Sequence, residues 1–154
     1  MEKPADIKRV RIADLIKEFS LSVMMGLYAG EAHVPGMPEP APDYELYQAM
    51  EDAGSLQAFG AYADGRLVGF LILIVSPIPH YSVMLATTES IFVLPDYRKY
   101  GTGRRLLEAA EEYAKERGCH GIGVTAPRGG RLARGMGAMG YRHTHQVYFR
   151  RLDG

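Results

Sequence analysis

The sequence predicts an α/β fold, and three observations carry that expectation. Ile12, Leu15, Ile16, Phe19, Val23 and Leu27 recur at three-to-four spacing, which marks an amphipathic helix over residues 12–27. Two strand-like runs, 56–63 and 66–75, flank Asp64-Gly65, a type I′ hairpin signal. A third strand over 84–93 runs into a proline, a basic turn with two glycines, and a second amphipathic helix. Because 66–75 is almost wholly apolar, that strand is expected to be buried on both faces.

Between the first helix and the hairpin, Gly30 opens a stretch holding Pro35, Pro38, Pro40 and Pro42. Proline at that density excludes helix interior and central strand, so 30–42 is a loop. Asp43 is then the N-cap of a short helix from Tyr44 to about Ala53. Pro77 and Pro79 are expected to end the second hairpin strand. After the glycine turn a helix buries Leu106, Leu107, Ala110, Tyr113 and Ala114, and Gly118 closes it. A short strand is expected over 120–125, a helix weakened by Gly135 and Gly137 over 131–139, and a last strand or strands over 141–152. No repeat, low-complexity tract or dividing linker appears, so 1–154 is expected to form one domain.

Composition narrows the class. The chain has 154 residues, 47% of them hydrophobic, which supports a compact globule. Eighteen basic residues balance 18 acidic ones, whereas bulk nucleic-acid binding needs a basic excess, so no nucleic-acid partner is expected. The longest apolar run, 67–75, is about half of what a membrane helix needs, and the first residues lack the apolar core of a signal peptide. A single cysteine, Cys119, excludes an internal disulfide and fits a reducing, cytoplasmic location. It sits between a helix end and a β-rich run, where a small buried residue is expected rather than a nucleophile.

The most informative stretch is Ser90-Ile-Phe-Val-Leu-Pro-Asp-Tyr-Arg-Lys-Tyr-Gly-Thr-Gly-Arg-Arg-Leu-Leu. Strand, proline stop, R-x-x-G-x-G and helix suit a diphosphate. Glycine lets backbone N–H groups approach closely, and the helix N-terminus adds unpaired donors and partial positive charge. Arg98, Lys99, Arg104 and Arg105 place cations within a few residues of the turn. The ligand is not a nucleotide of the commonest kinds. A Walker A loop needs a lysine after its second glycine, and a Rossmann turn needs a glycine where Leu106 stands. The literal G-x-G-x-x-G at 135–140 opens no helix and has no acidic residue about twenty positions on.

Val93-Leu-Pro-Asp-Tyr-Arg98-Lys-Tyr-Gly101-Thr-Gly103 followed by Leu106-Leu107 resembles motif A of the GNAT superfamily, V-x-P-x-x-[RQ]-x-x-G-x-[GA]-x-x-L-L. The likeness covers roughly residues 60–152 in element order. It implies a GNAT-like twisted mixed β-sheet with helices on both faces, acetyl-CoA as cofactor, and a small-molecule or peptide amine as acceptor, with no membrane partner. It leaves a homodimer open. It further implies that Gly101, Thr102, Gly103 and the neighbouring Lys99, Tyr100 and Arg104 hold the pyrophosphate, helped by Arg98. The pantetheine arm would pair with the strand edge at Ile91, Phe92 and Val93, like an added strand.

Acyl transfer to an amine requires that the ammonium lose a proton before attack, and the departing thiolate is helped by a donor. Glu89 is the candidate base. A period of two places it on one face with Ile91 and Val93 unless a bulge intervenes. The alternative is a glutamate paired with an arginine or facing solvent. Many GNAT enzymes carry a tyrosine proton donor several residues before the step that is Gly140-Tyr141 here, but this sequence has Met136 there. Tyr148 is a substitute, the donor stays unassigned, and a non-catalytic acetyl-CoA-binding or sensing module is the alternative function. His143 and His145 share a presumed strand face, yet no third metal ligand is visible, so no metal is expected. Glu31, His33 and the pair His80-Tyr81 lie in loops that would border the acceptor cleft.

Overall fold

The computed structural model describes residues 4–20, 24–31 and 33–153. Its frame is a five-stranded sheet in the order β1-β2-β3-β4-β5: β1 Asp6–Val10, β2 Leu56–Ala63, β3 Arg66–Ile78, β4 Val83–Val93 and β5 Gly121–Gly123. The first four strands pair antiparallel with their neighbours, while β5 pairs parallel with β4. The hairpin between β2 and β3 turns through Asp64 at φ 50° and Gly65 at φ 74°. Two successive positive φ values are what a type I′ turn demands, and Asp-Gly supplies them at low cost.

Helices cover both faces. On one, α1 (Ile12–Ser20), α2 (Met24–Glu31) and α3 (Tyr44–Asp52) enclose a core of Ile12, Leu15, Met24, Leu56, Phe70 and Phe92. On the other, α4 (Thr102–Glu116) lays Leu106, Leu107, Ala110, Tyr113 and Ala114 against Phe59, Leu71, Leu73 and Val75. Deleting one of these leucines to alanine would cost about 2–5 kcal/mol through lost transfer energy and the cavity left behind. Asp43 caps α3 as expected, accepting from the Leu46 N–H at 3.0 Å. Glu51 of α3 accepts from the Ile12 N–H at 2.6 Å, so α3 also caps α1.

Several sequence expectations are corrected. The helix foreseen over 12–27 corresponds to α1 and part of α2; Val23 lies outside the described residues, and Leu27 is exposed. Strand β3 runs through Pro77 to Ile78 instead of ending there. The Val75 N–H points to Ser55 O, just before β2, so Pro77 two residues later turns its missing donor beyond the end of β2. The strand foreseen over 120–125 is only Gly121–Gly123, and the helix over 131–139 is α5 (Arg131–Gly135) followed by a single 3-10 turn. No strand forms over 141–152. Val147, Tyr148 and Leu152 are exposed there, and Phe149 reaches back against Gly36 of the proline loop.

Candidate active site

The site begins at a defect in β4. Ile72 of β3 pairs with Ser90 and Leu73 with Thr88, so Glu89 is an extra residue without a partner, a β-bulge. The bulge shifts the alternation. Ile91 and Val93 pack on the α4 side, whereas Phe92 packs on the α1–α3 side, where Glu89 meets α3. Glu89 therefore does not share a face with Ile91 and Val93.

The bulge sits where β4 loses its neighbour. The β4–β5 ladder holds Leu85–Gly121, Ala86–Ile122 and Thr87–Gly123, and no further rung follows among the described residues. In place of the next rung, the Thr125 N–H donates to the side-chain Oγ1 of Thr88 at 3.1 Å. Beyond that point no described residue pairs with this edge of β4, so the backbone of 90–93 has a ladder partner only on the β3 side.

Glu89 is exposed, and both of its oxygens are engaged. The Tyr47 hydroxyl donates to Oε1 at 2.7 Å, and the Ser90 hydroxyl donates to Oε2 at 2.8 Å. Burial, then the hydrogen bond to Glu89 and its charge, pushes the Tyr47 phenol well above its ordinary value. Tyr28 of α2 packs on the same side, its ring edge-on to Phe92, and burial followed by the Glu89 charge raises its phenol as well. Among the described residues no arginine, lysine or histidine forms an ion pair with Glu89. The residue pairs with tyrosine and serine rather than with a cation.

At the far end of β4, Pro95–Tyr100 forms a 3-10 turn and Gly101 takes φ 71° ahead of α4. The first helical bond there runs from Arg105 N to Gly101 O at 3.0 Å. No side chain caps this end, so the N–H groups of Thr102, Gly103 and Arg104 precede the ladder with the helix dipole behind them. A Cβ on Gly101 would meet nothing within 4 Å, and one on Gly103 only Val93 Cγ2 at 3.9 Å. The cradle is open, positive and lined by backbone, which fits a diphosphate. The buried Thr102 bonds its hydroxyl to Tyr97 O at 2.9 Å, tying helix to turn.

The cations divide. Arg98 is engaged within the protein: its Nε donates to Val93 O at 2.8 Å, its Nη2 pairs with Glu31 at 2.6 Å, and its guanidinium lies over Phe92 at 5.3 Å. Arg105 donates to Ala5 O at 2.6 Å. Lys99, over the Tyr100 ring at 5.2 Å, and Arg104, paired with Glu108 at 3.3 Å, stay on the surface beside the turn.

The remaining candidates do not join this arrangement. Tyr148 is exposed and bonded to Gln146. His143 and His145 lie on irregular, exposed chain, and no group of three metal-binding side chains occurs among the described residues. Cys119 is half-buried, and burial raises its thiol, the opposite of what a nucleophile needs. Met136 packs against the α4 core. His80 meets Tyr81 edge-on at 4.8 Å in their loop, and His33 is exposed. Sequence reasoning missed Tyr47, Tyr28, Thr88 and Thr125. Only Tyr47 left a trace, since with Met50 it makes an i, i+3 apolar pair on α3.

The model of the acetyltransferase (GNAT) family matches residues 24–137. This chain belongs to that family. The acetyltransferase is 29% identical over 124 residues to an aminoglycoside N(6')-acetyltransferase type 1 of Salmonella typhimurium, covering 76% of this chain and 83% of the relative. Its fold matches a ribosomal-protein-alanine N-acetyltransferase from Brucella melitensis biovar Abortus at TM-score 0.74 and 23% identity, over 97% of this chain and 100% of that one. It also matches aminoglycoside N-acetyltransferase AAC(6')-Iy, solved with CoA, at TM-score 0.70 and 22% identity, over 95% and 98%. The protein is thus a GNAT N-acetyltransferase, an acyltransferase on a mixed α/β sheet. No helix among its described residues is long and apolar enough to cross a membrane.

Proposed function

We propose that the acetyltransferase moves the acetyl group of acetyl-CoA to a primary amine of a small molecule or peptide by direct attack, with Glu89 as general base. The observation that carries this is the Glu89 carboxylate at the bulge, just past the end of the β4–β5 ladder on the strand that leads to the uncapped start of α4. The relative's name and the CoA complex of AAC(6')-Iy support the donor and make an aminoglycoside the first acceptor to test.

Bound acetyl-CoA supplies an activated acyl carbon as a thioester. The chain's residues do the rest. The N–H groups of Thr102, Gly103 and Arg104 receive the diphosphate, with Lys99 and Arg104 adding charge from the surface. The backbone of Ile91, Phe92 and Val93 takes the pantetheine arm as an added strand. Glu89 accepts the proton that the acceptor ammonium must lose, directly or through water, and most of the catalysis is positioning. Met136, where the family resemblance implies a hydroxyl, has no proton to give, so the sulfur leaves as the CoA thiolate or takes its proton from water or another residue.

The test is thiol release from acetyl-CoA against a panel of aminoglycosides, polyamines and peptides with an N-terminal alanine. Glu89→Gln keeps shape but cannot accept the proton, so kcat should fall about a hundredfold or more. Acetyl-CoA affinity should barely change. Near-normal turnover in Glu89→Gln overturns the assignment of the base.

A further inference from the structure

The Glu89 carboxylate is held from two elements at once. Tyr47 reaches it from α3 and Ser90 from β4. A glutamate on the surface ordinarily samples many rotamers and loses entropy when fixed in one. Here one donor on each oxygen fixes it, although no cation pairs with it among the described residues.

The hydroxyl of Tyr47 is not needed to dock α3. That helix is anchored by Met50 and the Tyr47 ring, which pack partly buried against the core, and by Glu51 on the Ile12 N–H. A phenylalanine would fill the same volume. What the hydroxyl adds is a donor that ends on Oε1, 42 residues away in sequence.

We propose that Tyr47 is a positioning residue of the acetyl transfer: its hydroxyl, with that of Ser90, locks the Glu89 carboxylate in one orientation just past the last rung of the β4–β5 ladder. This rests on Glu89 being the base. Each oxygen of a carboxylate carries two acceptor sites, so one site per oxygen remains for the incoming ammonium or a relaying water. A base that must meet a proton within hydrogen-bond reach gains rate from being held there, and a misplacement of about 1 Å costs about a hundredfold.

The experiment compares Tyr47→Phe, Glu89→Gln and the double variant, each as the full chain. In the protein without substrates, the 13C carboxyl resonance of Glu89, assigned by its loss in Glu89→Gln, should move in Tyr47→Phe because its donor is gone. With acetyl-CoA and an amine of the panel that supports thiol release, Tyr47→Phe should lower kcat about tenfold while leaving the acceptor KM and acetyl-CoA affinity unchanged. In the Glu89→Gln background the same substitution should add no further loss, since there is no carboxylate left to orient. An unmoved resonance, a rise in KM alone, or an equal loss with and without Glu89 overturns the proposal. Two failures are distinguishable. A slow Glu89→Gln beside a normal Tyr47→Phe overturns only the role of Tyr47. A normal Glu89→Gln overturns the base itself and this role with it.

Discussion

The N–H of Thr125 ends on the side chain of Thr88, at 3.1 Å, where a backbone rung would otherwise continue the β4–β5 ladder. That substitution marks the vertex of the β4–β5 ladder, past which no described residue pairs with this edge of β4. Thr88 is buried, so its hydroxyl is held at a defined place, and Thr125 on the exposed β5 side is held through it.

Thr88→Val keeps the shape and removes the acceptor. The freed Thr125 N–H is accessible to water, so the stability loss should be about 0.5–1.5 kcal/mol, read as a small fall in Tm. A vertex that is no longer pinned should also weaken acetyl-CoA binding several-fold in calorimetry. If Tm falls and affinity does not, the vertex bounds no part of the donor's slot.

Gly103 separates a binding effect from a folding effect. A Cβ there would make only ordinary contact with Val93 Cγ2 at 3.9 Å, so Gly103→Val should fold and keep its far-UV spectrum. The side chain would instead fill the space in front of the α4 donors, and acetyl-CoA affinity should fall at least about tenfold. Gly101 is the poorer test, because φ 71° strains any replacement whether or not a ligand binds. Unchanged affinity in Gly103→Val would show that the diphosphate is held elsewhere.

What the sequence made legible was local. Asp64-Gly65 announces its turn because two positive φ values in a row have few other solutions, and Asp43 announces α3 because a short carboxylate reaches the helix donors. The bulge at Glu89 was not legible, since it exists only relative to the pairing of β4 with β3. The Tyr47–Glu89 bond joins residues 42 positions apart and depends on where α3 crosses the sheet. The sequence places Arg98 before the glycines but does not show that its guanidinium also meets Glu31, 67 residues earlier, and the carbonyl of Val93. The stretch 141–152 has a strand's composition, but a strand needs a partner edge, and among the described residues none pairs with it.

The pair between Arg9 and Glu116 gives a prediction in pH. Arg9 grips both oxygens of Glu116 at 2.9 Å, joining β1 to the last turn of α4, where a lone carboxylate would oppose the helix dipole. The hydrogen bonds from Arg9, then its charge, hold the Glu116 carboxyl below its ordinary value. A group whose affinity for protons is lower in the folded state contributes stability above its unfolded value and loses it as pH falls through the folded one. Glu116→Gln should therefore melt below the parent at pH 7, by a small margin because the pair is exposed to solvent and screened by salt. The difference should shrink as pH drops through the carboxylate range and vanish once Glu116 is protonated in both states. Melting curves of the two proteins across that range, at low and high salt, measure this directly. A gap that stays constant down to low pH would mean that the glutamate acts through packing rather than charge.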